Sequence, residues 1–209
     1  MCEVEKRHLE RRRANLLFRV CREQVTVAEA VSWAVEESID SLSQEAIECY
    51  RRFDYDEAIQ LADEWLRDVF EKESQPADVV GWNFGVGDYS EEHPLYGMYF
   101  AGYGKFDFES GLLVAEYGWL PDRRCVYDQF FFQETTRHCA DLTNGVGLFL
   151  SKMYTVALAI KMGSVLSTVV DFSTRQSYPV GCSVDGVGEV LLIGNLTESG
   201  LGPLSLEQL

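Results

Sequence analysis

The side chains able to do chemistry in this chain are few and scattered. Three histidines, His8, His93 and His138, and six cysteines, at 2, 21, 49, 125, 139 and 182, make up its nucleophiles and soft ligands. A thiol becomes a nucleophile or a metal ligand when a neighbour raises its ionised fraction. Two places offer such a neighbour. His138-Cys139 reads as a ligand pair or a base beside a thiol, and Cys125 follows Arg123-Arg124, where cationic charge lowers a thiol pKa. Adjacent residues on a helix point apart, so His138 is badly set to activate Cys139 itself. His8 lies on a basic helix, and His93 sits in an acidic loop before Pro94. The ordinary reading of each is a buried thiol and a surface or structural imidazole.

No two cysteines share the C-x-x-C spacing of a zinc or redox site. The Gly-rich pieces Gly85-Val86-Gly87-Asp88 and Gly102-Tyr103-Gly104 match neither G-x-G-x-x-G nor a P-loop, and supply turns instead. Glu109, Glu116, Asp122 and Asp128 lie among aromatics and could form a glycosidase-type acid/base pair; solvated strand faces account for them equally well. No motif assigns a reaction, and none calls for a cofactor or a metal.

The second chemical feature is charge. The chain carries −16 at pH 7, unevenly spread. Residues 1–25 hold seven Lys/Arg against four acids, residues 26–92 hold eighteen acids against four bases, and the remainder holds twelve against seven. Soluble surfaces normally intersperse both signs, so the middle stretch has a surplus. It serves solubility, pairing with the basic helix 1–25, or docking of a basic partner. The candidate docking acids are Glu36, Glu37, Asp40, Glu45, Glu48, Asp56, Asp63, Glu64 and Asp68, with Trp33 or Tyr55 as apolar anchors. Direct nucleic-acid binding is disfavoured, because phosphate neutralisation needs clustered Lys/Arg. Arg11, Arg12 and Arg13 are the exception, and pairing with acids of neighbouring helices explains them.

These groups must be held by a core, and 46% hydrophobic with 12% aromatic residues is enough to build one. The first third reads as helices. Leu9, Leu16, Leu17, Val20 and Cys21 share one face. Thr26 and Glu29 form a capping box ahead of the stripe Val27, Ala30, Val31, Ala34 and Val35. Ser43 caps a short helix holding Ala46, Ile47 and Tyr50. Asp54 and Glu57 repeat the capping logic before Ala58, Leu61, Ala62, Trp65, Leu66 and Val69, a stripe that predicts a buried Trp65. The segment from Phe53 to Ile59 resembles the turn of one tetratricopeptide-type helix pair over about one 34-residue unit. Trp65 stands where that repeat has a small residue and Phe70 where it closes with Pro, and no second copy follows. The segment is read as an αα-hairpin.

After Ser74-Gln75-Pro76 the composition changes to aromatics punctuated by glycine, which predicts short antiparallel strands. Strands are expected near 98–108 and 112–117 around Glu109-Ser110-Gly111, a helix over 128–140, and a buried core helix over 146–162. That apolar run is too short, with Lys152 inside it, for a membrane span. Val- and Thr-rich Ser164–Phe172 predicts a strand, Cys182–Ile193 a hairpin turning at Asp185-Gly186, and the chain after Asn195 a loose tail.

The expected fold is one α+β domain over 1–209: a helical part to residue 75, an aromatic β/α part over 76–195, and a tail over 196–209. An acidic helical layer packs on a small antiparallel sheet with one buried helix in the C-terminal half. The charged start, without an apolar run, reads as a cytoplasmic chain with no signal peptide and no membrane segment. The first functional reading is a non-enzymatic binding protein, of inhibitor, immunity or chaperone type, docking a basic protein through helices in 26–72. The alternative is a small-molecule site or enzyme in an aromatic pocket over 82–139, built from Tyr99, Tyr103, Glu116, Trp119, Asp128, His138 and Cys139. A third reading is a homo-oligomer subunit whose aromatics fill an interface.

Overall fold

The computed structural model describes residues 3–88, 96–109, 112–122, 124–126, 130–139, 145–184 and 190–203. The fold is α+β. Helices α1 (Glu3–Glu23), α2 (Val27–Glu37), α3 (Gln44–Arg52) and α4 (Tyr55–Lys72) come first, with a single 3-10 turn at Ile39–Ser41. Strands β1 (Gly81–Asp88), β2 (Tyr96–Glu109), β3 (Leu112–Trp119) and β4 (Cys125–Val126) follow. Two helices, α5 (Phe130–Cys139) and α6 (Val146–Val169), precede β5 (Tyr178–Val184), β6 (Val190–Thr197) and β7 (Gly200–Gly202).

Local chemistry sets the first helices. Thr26 Oγ1 accepts from Glu29 N at 3.2 Å while Glu29 Oε2 accepts from Thr26 N at 3.0 Å, which closes the capping box of α2. Ser43 Oγ accepts from Ala46 N and Asp54 Oδ1 from Glu57 N, starting α3 and α4. On α4 the buried line is Ala58, Ala62, Leu66 and Val69. Trp65 is a correction to the expected stripe. It flanks that line, half-buried, with its ring edge-on to Phe100 at 6.4 Å, and Leu61 is 39% exposed. The buried face is centred one residue further along than the sequence stripe implies.

The sheet runs β3-β2-β1-β5-β6-β7, with β4 pairing the early part of β2. It is mixed rather than wholly antiparallel, because β1 and β5 pair in parallel from Trp82↔Val180 to Val86↔Val184. The long excursion through α5 and α6 between them makes a parallel return feasible. The sheet curls enough to bring β3 near β6. On one face Trp82 stacks on Phe100 at 5.3 Å, and Phe70 of α4 meets both Trp82 and Trp119.

Helix α6 is the centre of the molecule. It touches α1, α2, α4 and α5 as well as β1, β2, β5, β6 and β7. It is apolar and buried over most of its surface, with Lys161, Ser164 and Thr168 exposed toward its C-terminal end. By length and composition it is the one described helix able to cross a membrane, yet 78% of its apolar window is buried inside the protein. It also overturns the strand expected at Ser164–Phe172, since the helix continues to Val169. Ser164, Ser167 and Thr168 donate their hydroxyls to the carbonyls of Lys161, Ser164 and Val165, so side chains that favour strands are accommodated on helical backbone. The tail is not loose as far as residue 202. β7 pairs with β6, and Leu201 lies where a Cβ on Gly163 would fall, at 2.4 Å. The β5–β6 and β2–β3 pairings match the expected hairpins. Their turn residues at 185–189 and 110–111 lie outside the described residues.

Candidate functional site

The nine docking acids all fall on α2, α3, α4 and the turn between α2 and α3, but they are not equivalent. Glu37 is ion-paired to Arg12 of α1 at 2.9 Å, Glu48 faces Arg52, and Asp63 and Asp68 pair with Arg67 and Lys72 one turn on. Glu64 accepts from Gln60 Nε2 at 3.0 Å. Glu36, Asp40, Glu45 and Asp56 are exposed, with no cation within ion-pair distance among the described residues. Part of the basic first helix is thus spent inside the molecule. Arg12 holds Glu37, Arg13 lies over the Phe149 ring at 4.9 Å, and Arg19 lies over Trp33 at 4.0 Å. Trp33 is therefore covered by its own chain and makes a poor anchor.

Between α2, α3 and α4 opens a cleft of about 170 Å³, lined by Ala28, Val31, Ser32, Val35, Glu36, Tyr50, Arg51 and Tyr55. Its lining is mixed: Val31, Val35 and the Tyr55 ring are apolar, while Ser32, Glu36 and Arg51 are polar or charged, of both signs. Tyr55 is fixed there by its hydroxyl, which donates to the Tyr50 carbonyl at 2.8 Å, and by its ring against Phe53. Burial raises the pKa of Tyr50 and Tyr55 above the usual phenol range, so both serve as hydroxyls and not as phenolates.

The seven residues of the aromatic-pocket reading separate into different places. Tyr99 and Tyr103 lie on the sheet face opposite Trp82 and Phe100. There Tyr99 Oη meets Tyr117 Oη at 2.5 Å and Ser183 Oγ at 3.0 Å, Asn83 Nδ2 donates to Ser183 Oγ at 2.9 Å, and Tyr103 stacks on Tyr117. Within it Asn83 is fully buried, and its Oδ1 has no hydrogen-bond partner among the described residues. Trp119 belongs to the other face with Trp82 and Phe70, and Glu116 is exposed. His138 and Cys139 stand on α5 against α3. Asp128 lies outside the described residues, as does the side chain of Cys125. Among the described residues these groups do not converge on one pocket.

What α5 does assemble is a different set. Glu134 and His138 lie one turn apart, and His138 Nε2 sits 3.3 Å from Glu134 Oε2. Cys49 of α3 directs its thiol at the same oxygen, 3.4 Å away. All three donor atoms lie within 4.8 Å of one another. Cys139 points away from His138, as adjacent positions on a helix should, and is buried with its sulfur 3.6 Å from Tyr50 Oη. The Cys49 thiol is pushed up to about 11, by burial first and then by its bond to Glu134 and the charges of Glu134 and Glu45. The Glu134/His138 spacing is visible on a helix read from sequence. Cys49, 85 residues from Glu134, carries no local signal for its partners.

Comparison with known proteins gives no counterpart to this arrangement: no family model, no curated protein and no solved structure matches the chain.

Proposed function

We infer that this chain is an acidic binding protein whose helical layer, α2 to α4, docks a basic protein surface. The observation that carries this reading is the cleft between those helices. It sets the half-buried ring of Tyr55 beside the carboxylate of Glu36, which has no cation within ion-pair distance among the described residues, over the buried Val31 and Val35, with Arg51 on the same lining. An Arg or Lys side chain of a partner fits that chemistry, its methylene stem against the Tyr55 ring and its head on Glu36. Asp40, Glu45 and Asp56, exposed and without an ion-pair partner among the described residues, add long-range attraction, and complementary charge speeds encounter and excludes wrong partners. The partner class is a basic protein, not nucleic acid.

The test begins with capture on the immobilised chain at low salt, followed by association kinetics with the captured protein. Reversing Glu36, Asp40 and Glu45 to Lys should lower the on-rate about tenfold or more at low ionic strength. These positions are exposed, so circular dichroism and melting should stay close to wild type. The on-rate of the wild-type chain should fall steeply as salt rises, because the screening length shrinks from about 30 Å at 0.01 M to about 8 Å at 0.15 M. An on-rate flat with salt, or a triple variant that binds like wild type, would reduce the surplus acids to a solubility device.

A further inference from the structure

The geometry points to a divalent metal site for a zinc-like ion held by Cys49, Glu134 and His138 at the α3–α5 interface. Three observations carry it. First, the donor set is one thiol, one carboxylate and one imidazole, the combination that borderline-soft ions such as Zn²⁺ take and that hard ions such as Mg²⁺ do not. Second, two of the three ligand edges have the required spacing. Bonds of about 2.0–2.1 Å to N and O and about 2.3 Å to S imply tetrahedral ligand edges of about 3.3–3.6 Å. Glu134 Oε2 to His138 Nε2 measures 3.3 Å and Cys49 Sγ to Glu134 Oε2 measures 3.4 Å. The third edge, Cys49 Sγ to His138 Nε2, lies within 4.8 Å, so an ion replaces the thiol–carboxylate and carboxylate–imidazole contacts by drawing Cys49 and His138 together.

Third, the donors are set on a braced interface. Tyr50, next to Cys49, donates to Thr135 Oγ1 at 3.4 Å from within the core, and its ring packs on Phe131 at 5.6 Å. Phe53 meets Phe131 edge-on. Arg137 Nη1 spans both oxygens of the Glu134 carboxylate, Oε1 at 3.0 Å and Oε2, the oxygen facing Cys49 and His138, at 3.1 Å, which fixes its orientation and leaves the ion to share Oε2. A site on two helices locked by packing holds its geometry better than one on loops. The side chain of His138 is only 9% exposed, so its nitrogen is partly stripped of competing water. On binding, Cys49 gives its proton to solvent and the thiolate sulfur donates to the ion; nothing is oxidised or reduced. Three protein ligands leave a fourth position for water or a small anion, the arrangement of an exchangeable rather than a closed structural site.

The experiment is a titration of the reduced full-length chain with Co²⁺, then Zn²⁺. One equivalent of Co²⁺ should bind with a thiolate-to-metal charge-transfer absorption and intense visible bands of tetrahedral coordination, and Zn²⁺ should displace it. Cys49→Ser should abolish the charge-transfer absorption. Glu134→Gln and His138→Gln should each weaken binding at least tenfold, while Cys139→Ser should leave it unchanged. In the wild-type chain, where no variant need fold, Zn²⁺ should slow alkylation of Cys49 at least tenfold in peptide-resolved mass spectrometry, with the other cysteines unaffected. No charge-transfer absorption, its persistence in Cys49→Ser, or alkylation of Cys49 indifferent to Zn²⁺ overturns the proposal.

Discussion

Single residues in this protein differ in weight according to which side of a packed face they occupy. Leu66 is fully buried on α4, whereas Trp65, one position earlier, is larger but only half-buried. Leu66→Ala should therefore cost about 2–5 kcal/mol, the range for emptying a core leucine site. Trp65→Ala should cost less than Leu66→Ala despite deleting more atoms, as read by urea melts of the two variants. The reverse order would place the helix face where the sequence stripe alone suggests. Gly85 is a second such position. A Cβ there would fall 1.9 Å from the ring of Tyr99, its partner across β1 and β2. The glycine exists so that the Tyr99 ring can lie flat over the strand and reach Tyr117 and Ser183. Gly85→Ala should cost about 1–3 kcal/mol or more in the same melts. Nothing in the sequence marks Gly85 from its neighbour Gly87, since the distinction is made by a residue on another strand.

At the scale of elements, what was legible is what local chemistry decides. The starts of α2, α3 and α4 are written in Thr26, Ser43 and Asp54, each accepting from a backbone N–H three residues on. Thr26→Ala should cost about 1 kcal/mol, the usual value of an N-cap. Glu29 of the same box has its pKa lowered by the Thr26 hydroxyl and then by the Thr26 backbone N–H. A depressed carboxylate contributes stability above its unfolded pKa, and that contribution is lost as pH falls through the folded value. Glu29 should thus titrate below the usual glutamate range by NMR, and Thr26→Ala, which removes the hydroxyl but keeps the backbone N–H, should raise it. What was not legible depends on tertiary contact. Ser164–Val169 has strand-like composition, yet the helix continues through it because its apolar residues meet core on several sides and its hydroxyls bond back to the preceding turn. The Cys49–Glu134–His138 set likewise exists only once α5 has packed on α3.

For the whole molecule, burial of thiols sets an upper pH limit. Cys21 and Cys182 are buried, and burial pushes both from about 9 up to about 12, with each other's charge a further cost for Cys182. For groups whose folded pKa is raised, the contribution is intact below the unfolded value and is lost as pH rises through the folded one. Unfolding free energy should fall between about pH 9 and pH 12, by about 1.4 kcal/mol per pH unit for each thiol that ionises only on unfolding. Urea midpoints at pH 8, 9, 10 and 11 read this directly, and a midpoint unchanged to pH 11 would mean the thiols are not sequestered. The central position of α6 has a further consequence, in time rather than in energy. The first four helices are synthesised well before α6, the helix against which α1, α2 and α4 bury their apolar faces. At about 5–20 residues per second, those faces wait at the ribosome for several seconds or more before their partner emerges. A nascent chain halted before residue 146 should accordingly be cut readily by protease, and one extended past β7 should resist.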